Sequence, residues 1–508
     1  MVWAQTPNAD DLVWQKSLRK FDARRASLLG QVDREEKAGP FQPDWESLKQ
    51  YRIPNWYEDA KFGIFIHWGL YSVPSFDNEW YPRNMYVQSS KDFQHHVSTY
   101  GPQAKFGYKD FIPEFKAEHF DARAWAELFR KAGAKYVVPV AEHHDGFAMY
   151  DSDLNDWTAV KMGPKRDVVG ELAATVRGSG LHFGASSHRA EHYFFMNGGR
   201  DFDSDVRDPK YASLYGPAHA GVTDNNHEKW AAHPDTVYLD GWLARTTEIV
   251  LKYHPEVVWF DWWINTKEFE PYLKRFAAFY YNDAARNNYT GVINYKFTAY
   301  PEGAAVLDIE RGLLDSPRDL LWQTDTSVSI KSWGYIRGDT FRSPESLIQQ
   351  LVDIVSKNGC LLLNVGPKPD GTIPDEAQRL LLDIGRWLET NGEAIYGTRP
   401  WRVFGEGPTK VRGGAFHDTD TIGYSAQDVR FTMKGDVLYA IALGWPEGSQ
   451  FTIKSLADGN PNAPMALNHI RLLGYDQEIR WGRDKDGLHL TVPSSRPGDY
   501  AYVFKLSR

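Results

Sequence analysis

Val257-Val258-Trp259-Phe260-Asp261-Trp262-Trp263 is the stretch on which the reading of the fold turns. Its first four residues are β-branched or aromatic and do not alternate with polar ones, the pattern of a parallel strand covered on both faces. A helical pattern ends just before it at His254-Pro255, since the residue preceding a proline is steered out of the α region. Asp261 then falls at the strand's carboxyl end, where parallel barrels and open α/β sheets carry their active sites. An Asp there can also cap the next helix or close a turn, so the rest of the chain has to decide.

Six more runs share this character: Lys61-Phe-Gly-Ile-Phe-Ile-His67, Tyr136-Val-Val-Pro-Val-Ala-Glu-His143-His144, Leu181-His-Phe-Gly-Ala-Ser-Ser-His188, Gly291-Val-Ile-Asn-Tyr-Lys296, Ala305-Val-Leu-Asp-Ile-Glu310 and Cys360-Leu-Leu-Leu-Asn-Val-Gly366. Helical patterns separate them. Asp121 to Lys131 puts Trp125, Leu128, Phe129 and Ala132 on one face, with Asp121 as N-cap and Gly133 as the stop. Further helices are predicted over 167–177, 239–253, 268–286, 344–357 and 374–388. Seven strands alternating with helices imply a parallel α/β architecture, most simply a (β/α)8 (TIM) barrel with its eighth strand unassigned. From Thr398 onward, short alternating runs such as Val429-Arg-Phe-Thr-Met-Lys, split by Gly-Asp, predict an antiparallel β-sandwich. The expected division is an N-terminal helical arm over 1–50, the barrel over 51–397 and the sandwich over 398–508.

Size and composition fit that plan and narrow the function. A chain of 508 residues exceeds what one core usually supports. A net charge of −9, a pI near 6.0 and the lack of any basic run exclude a nucleic-acid partner. Mean hydropathy of −0.53 and the absence of a long apolar stretch give no expectation of a membrane partner. Aromatic residues make up 14% of the chain and 19 are Trp, many beside polar residues, which favours rings that stack on a sugar-like ligand. The single Cys360 excludes an intrachain disulfide and a cysteine metal cluster. The opening Met1-Val-Trp-Ala-Gln-Thr-Pro lacks a basic and an apolar region, but its Ala-Gln junction resembles what a trimmed export leader leaves behind a start Met. Periplasmic or secreted localisation is therefore expected.

A barrel would gather His67, His143, His144, His188, Asp261, Lys296 and Glu310 on one face, because all lie at or just past predicted strand ends. Two chemistries compete for them. Three histidines and an Asp could hold Zn for metal-assisted hydrolysis, yet adjacent His143 and His144 should point apart in an extended strand. The pair His188 and His192 has i, i+4 spacing but lacks the Glu directly after the first His. Glycoside hydrolysis instead needs an ionised nucleophile and a protonated acid in an aromatic pocket, and Asp261 with Glu310 fits those roles. This is the favoured reading, with no metal and no cofactor expected.

Phe65-Ile-His67-Trp-Gly, Asn78-Glu79-Trp80-Tyr-Pro-Arg-Asn-Met-Tyr, Glu142-His143-His144-Asp-Gly-Phe and Trp259-Phe-Asp261 together resemble the α-L-fucosidases of glycoside hydrolase family 29. The match runs in order from about residue 40 to 400. The resemblance implies an exo-acting retaining enzyme with a (β/α)8-like barrel and a β-sandwich, and a fucosylated oligosaccharide or glycoconjugate as substrate. It makes Asp261 the nucleophile and places His67, Glu79, Trp80, His143, His144 and Trp259 around the fucose. Trp333 is expected as a further aromatic wall, and His188 and Lys296 as polar contacts. Glu310 is the preferred acid/base, with Glu79 as the alternative. The sequence departs from the family after Phe183-Gly, where Ala185-Ser186-Ser187-His188 stands in place of tyrosines, and at Asn294-Tyr295-Lys296, where an arginine often follows Asn-Asp. A metal-dependent hydrolase and an inactive fucose-binding lectin are the alternatives. Oligomeric state and linkage preference are not legible in these motifs.

Overall fold

Eight parallel strands close into a barrel in chain order: β1 (Phe62–Ile66), β2 (Tyr136–Glu142), β3 (His182–Ser187), β4 (Val257–Phe260), β5 (Val292–Lys296), β6 (Val306–Asp308), β7 (Trp322–Ser327) and β8 (Gly359–Val365). β8 pairs back on β1, with Phe65 opposite Val138 on one side and Asn364 on the other. The computed structural model describes residues 8–219, 233–420, 423–463 and 466–507. Met1–Pro7, on which the export reading rests, lies outside them, as does part of the long polar stretch before the fourth strand. Every residue of β1, β2, β4, β5 and β8 is buried, as expected of parallel strands covered by helices.

Helices pack the outside by their apolar stripes. Asp121 caps Ala122–Lys131 by accepting from the N–H groups of Arg123 and Ala124 at 2.9 and 3.1 Å, and Trp125, Ala126 and Phe129 form its buried face. The helix Thr236–Tyr253 begins three residues before its expected start because Asp235 caps it, accepting from Tyr238 N–H at 2.8 Å. Its Trp242 meets Phe260 of β4 and Phe269 and Phe276 of the helix Glu270–Arg286. Burying a side chain such as Phe276 contributes about 1.5–3 kcal/mol. At the N-terminal side, Ala9–Leu18 and Asp22–Ala38 lie across these two helices. Gln15 donates to Asp235, Asn282 to the Glu35 carbonyl, and Arg275 to Glu36.

The strand missing from the sequence reading is β7. Its residues Trp-Gln-Thr-Asp-Thr-Ser carry no apolar run, because both faces have polar work. Gln323 accepts from the hydroxyls of Tyr57 and Tyr136, each at 2.7 Å, and Asp325 receives Lys296 Nζ at 2.6 Å, all within the barrel. Thr324 bonds the Ile309 carbonyl at 2.7 Å and Thr326 bonds Asp418 on the other face. β6 is also shorter than expected: it ends at Asp308, so Glu310 lies beyond the strand rather than at its last position.

After the barrel come β9 (Arg399–Glu406), β10 (Val429–Lys434), β11 (Val437–Ala442), β12 (Gln450–Ile453), β13 (His469–Leu472), β14 (Trp481–Asp484), β15 (Gly487–Thr491) and β16 (Tyr502–Ser507), which form two antiparallel sheets, one ordered β13–β16–β11–β10–β9 and one β12–β15–β14. Phe431, Leu438, Ile453, Leu488 and Phe504 share the core between them. Arg430 ties this part to the barrel helix Pro344–Ser356 through Asp353, at 2.6 Å. Among the described residues no helix is long and apolar enough to cross a membrane.

Candidate active site

The carboxyl ends of the strands surround a cavity of about 480 Å³, within the usual range for small-ligand sites. β1 delivers His67, whose backbone N–H and Nδ1 both meet Asn364 Oδ1 of β8, at 3.0 and 2.8 Å. Because Oδ1 only accepts, Nδ1 carries the hydrogen and Nε2 remains an acceptor. β2 stops at Glu142, so His143 and His144 lie in the turn beyond it and both line the cavity, ring centroids 4.3 Å apart. The expectation that they point apart is corrected here: alternation holds within a strand, not past its end.

β3 ends at Ser187, and the next residue, His188, bridges two strands. Its Nε2 is 3.0 Å from Ser186 Oγ and its Nδ1 3.0 Å from Asp261 Oδ2, just past β4. The Ser186-Ser187-His188 departure thus supplies the polar neighbour of Asp261. His144 Nε2 approaches the same Asp261 oxygen at 3.3 Å and Glu191 Oε2 at 3.1 Å. Glu310 sits on a segment held to β7 by Ile309 N–H to the Gln323 carbonyl and Arg311 N–H to the Asp325 carbonyl, and Trp262 Nε1 donates to Glu310 Oε2. Glu79 accepts from Trp333 N–H at 2.8 Å and Ser332 Oγ at 3.2 Å. Trp80 stands edge-on to His144, and Trp333 lies 5.2 Å from His67 by ring centroids.

Of the expected residues, His67, Glu79, Trp80, His143, His144, His188, Trp259, Asp261, Glu310 and Trp333 all line this cavity. Lys296 does not. Its ammonium lies beneath the floor, 2.7 Å from Asp308, 2.6 Å from Asp325 and 3.7 Å from Glu310 Oε2, and 4.9 Å from the Trp259 ring centroid. The expected sugar contact is corrected to a buried counter-charge, because β5 turns its last side chain into the barrel, where unpaired carboxylates need a cation. Trp259 is fixed from below by its Nε1 bond to Asp308, at 3.1 Å.

The two catalytic candidates are pulled apart electrostatically. Burial works to raise Asp261, but His188, His144 and Lys296 outweigh it and hold the carboxyl well below the usual carboxylate range. Burial pushes Glu310 up and the Asp261 charge adds to this, against the opposing pull of Lys296, Trp262 and Arg311. Burial likewise lowers His67, His143 and His188, so these rings are neutral donors and acceptors at neutral pH. A third carboxyl, Glu191, is pushed up to about 7 by burial.

Sequence reasoning missed Glu191, Asp325, Asn364 and Phe416 as parts of the site or its support. Asp325 lies on the strand that was not recognised, and Asn364 is a lone amide in an apolar run. His67, His143 and His188, or His144, His188 and Asp261, present ligand atoms within 4.8 Å of one another and could hold a metal ion. His188 would have to give up its bond to Ser186 or Asp261 to do so. His192, the partner proposed for His188, instead bonds the His144 carbonyl through Nδ1 at 2.7 Å.

Comparison with known proteins agrees with this geometry. The family described as Alpha-L-fucosidase matches residues 28–393, and its C-terminal domain family matches 423–507. An alpha-L-fucosidase of Branchiostoma floridae is 32% identical over 490 residues, covering 92% of this chain and 95% of its own. The tissue alpha-L-fucosidase of Homo sapiens is 30% identical over 504 residues, covering 94% and 95%. The crystal structure of Thermotoga maritima alpha-fucosidase superposes with a TM-score of 0.72 at 33% identity, covering 92% of this chain and all of that one. With both halves matched and relatives aligned over nearly their full length, the chain belongs to the α-L-fucosidases of glycoside hydrolase family 29.

Proposed function

We propose that this α-L-fucosidase is exo-acting and retaining, with Asp261 as nucleophile and Glu310 as acid/base. The observation that carries the reading is the pairing of a depressed Asp261 with a raised Glu310 on one cavity. Two carboxyls driven in opposite directions are what acid and nucleophile roles require. Asp261 attacks the anomeric carbon while Glu310 gives its proton to the departing oxygen, so the glycosidic C–O bond breaks as the fucosyl–Asp261 ester forms. Glu310, now ionised, takes a proton from water, whose oxygen attacks the same carbon and releases both fucose and the Asp261 carboxylate. Neither half-reaction needs a cofactor.

Glu79 suits a different role. Its Oε2 already accepts from Trp333 N–H and Ser332 Oγ, which fixes the carboxylate as an acceptor for a sugar hydroxyl. His67 and His143, held neutral by burial, serve the remaining hydroxyls, and Trp80, Trp259 and Trp333 supply apolar walls.

The test is product stereochemistry with rescue. NMR of early hydrolysis products is expected to show α-fucose first, and Asp261→Gly is expected to lose activity and regain it with added azide. First appearance of β-fucose overturns the retaining mechanism, and an Asp261→Gly enzyme as active as wild type overturns the nucleophile.

A further inference from the structure

Among the described residues, the only exposed Phe, Tyr or Trp side chains are Phe297, at 46%, and Phe416, at 55%. Both approach one ring. Trp262 lies 5.9 Å from Phe297 and 6.3 Å from Phe416 by ring centroids, nearly parallel to Phe416 at 12°. Trp262 and Phe416 both line the mouth of the catalytic cavity.

Both phenylalanines are left-handed, with φ of 60° for Phe297 and 61° for Phe416. A bulky residue in that region is strained, and such outliers persist where the surrounding structure enforces them. The enforcement on Phe416 is visible. Gly414 bridges Leu313 through both backbone bonds, Phe416 N–H donates to the Glu310 carbonyl at 2.9 Å, and His417 and Asp418 both donate to the Arg311 carbonyl at 2.9 Å. The fold thus spends conformational energy to hold an apolar ring in water beside Glu310. Phe416 also lies between the two stretches that the family descriptions match, 28–393 and 423–507.

We infer that Phe297, Trp262 and Phe416 form a preformed subsite for the leaving group, and that its occupant is the pyranose ring to which fucose is attached. The assignment rests on Glu310 as the acid. The leaving oxygen must lie at Glu310, and the Trp262 indole N–H is bonded to that same carboxyl, so the group beyond the oxygen emerges over these rings. A pyranose has a face of C–H groups that packs flat on an aromatic surface, and a row of rings on the wet side of a cavity gives that face its partner. The subsite would therefore discriminate among fucosides by what carries the fucose.

The experiment compares two classes of substrate on one enzyme: α-L-fucosyl fluoride, which has no ring in its leaving group, and a set of α-1,2-, α-1,3-, α-1,4- and α-1,6-linked fucosyl disaccharides. In Phe416→Ala, the ratio of kcat/KM for the best disaccharide to that for the fluoride is expected to fall about tenfold. Phe416→Tyr is expected to keep the wild-type ratio, which separates loss of the ring from disturbance of the loop. A ratio within about twofold of wild type for every disaccharide in both Phe416→Ala and Phe297→Ala overturns the subsite. So does a wild-type dimer that Phe416→Ala dissociates without changing the ratio, since the rings would then cover a second copy of the chain. An error in the acid assignment shows separately in Glu310→Gln, which would then lose kcat/KM equally on the fluoride and on the disaccharides instead of mainly on the disaccharides, whose leaving group needs the proton, so the two failures are distinguishable.

Discussion

His188 Nδ1 lies 3.0 Å from Asp261 Oδ2, joining the ends of two neighbouring strands through the carboxylate proposed as nucleophile. The ring is fixed from behind by Ser186 Oγ. Losing a hydrogen bond to a charged group costs about 1.5–3 kcal/mol, so His188→Ala is expected to lower kcat/KM about tenfold to a hundredfold. The direction on pH follows from the depressed Asp261: activity is present above its pKa and lost as pH falls through it. Without His188 that pKa rises, so the acid limb of the kcat/KM profile moves to higher pH. An unmoved acid limb would mean that His188 only fills space.

Glu191 predicts the opposite pH behaviour for stability. His144 Nδ1 faces the His188 carbonyl at 2.9 Å and donates there, which leaves its Nε2 facing Glu191 Oε2 at 3.1 Å. Burial raises Glu191 from 4.5 to about 7. Between those values the folded protein binds a proton that the unfolded chain has released, so stability falls as pH rises through this window. Glu191→Gln removes that loss, which amounts to on the order of 3 kcal/mol. Thermal unfolding should therefore show the variant gaining on wild type from pH 5 to pH 8, and a constant difference would sink the idea.

Much of this site was legible because a parallel barrel converts one-dimensional position into a shared face. His67, His188 and Asp261 each follow an apolar run, and the run alone predicts where the side chain ends up. What escaped notice carries no such marker. Asp325 and Gln323 sit on a strand made polar by the charges it must neutralise, and Phe416 reaches the cavity from more than a hundred positions beyond Glu310 through backbone bonds that no side-chain pattern encodes. Lys296 ends the expected strand but faces Asp308 and Asp325 instead of the cavity, since sequence does not tell whether a strand-end cation looks up into a cavity or down into carboxylates.

That cation is the basis of a further prediction. Lys296 Nζ is buried between Asp308 and Asp325; burial and the Asp308 charge push Asp325 well up, so the loss of Lys296 leaves the Asp308 charge uncompensated. Lys296→Met is expected to destabilise the protein by about 3–5 kcal/mol in urea unfolding, and adding Asp308→Asn should recover part of it. Lys296 also pulls Glu310 down. Its removal raises Glu310 further and keeps the acid protonated to higher pH, so the basic limb of kcat/KM moves upward. A variant with wild-type stability and an unchanged basic limb would exclude this role.

The turn bearing His143 and His144 hangs on the residue before it. Glu142 is buried between Arg189 and Arg245, with Arg245 Nη1 at 2.9 Å, and its carbonyl receives His188 N–H at 2.9 Å. Burial opposes the charge on Glu142, but the two guanidinium groups outweigh it and depress the carboxyl. A depressed carboxyl contributes stability above its unfolded pKa and loses it as pH falls through the folded value. Glu142→Gln leaves two buried cations short of a counter-charge and is expected to cost about 3–5 kcal/mol at pH 7. The gap from wild type should narrow in acid, because wild type then loses the same charge. Since Arg189 directly follows His188, kcat/KM should fall along with stability. Equal stability of the two proteins at pH 7, measured by urea unfolding, would show that the arginines find other partners.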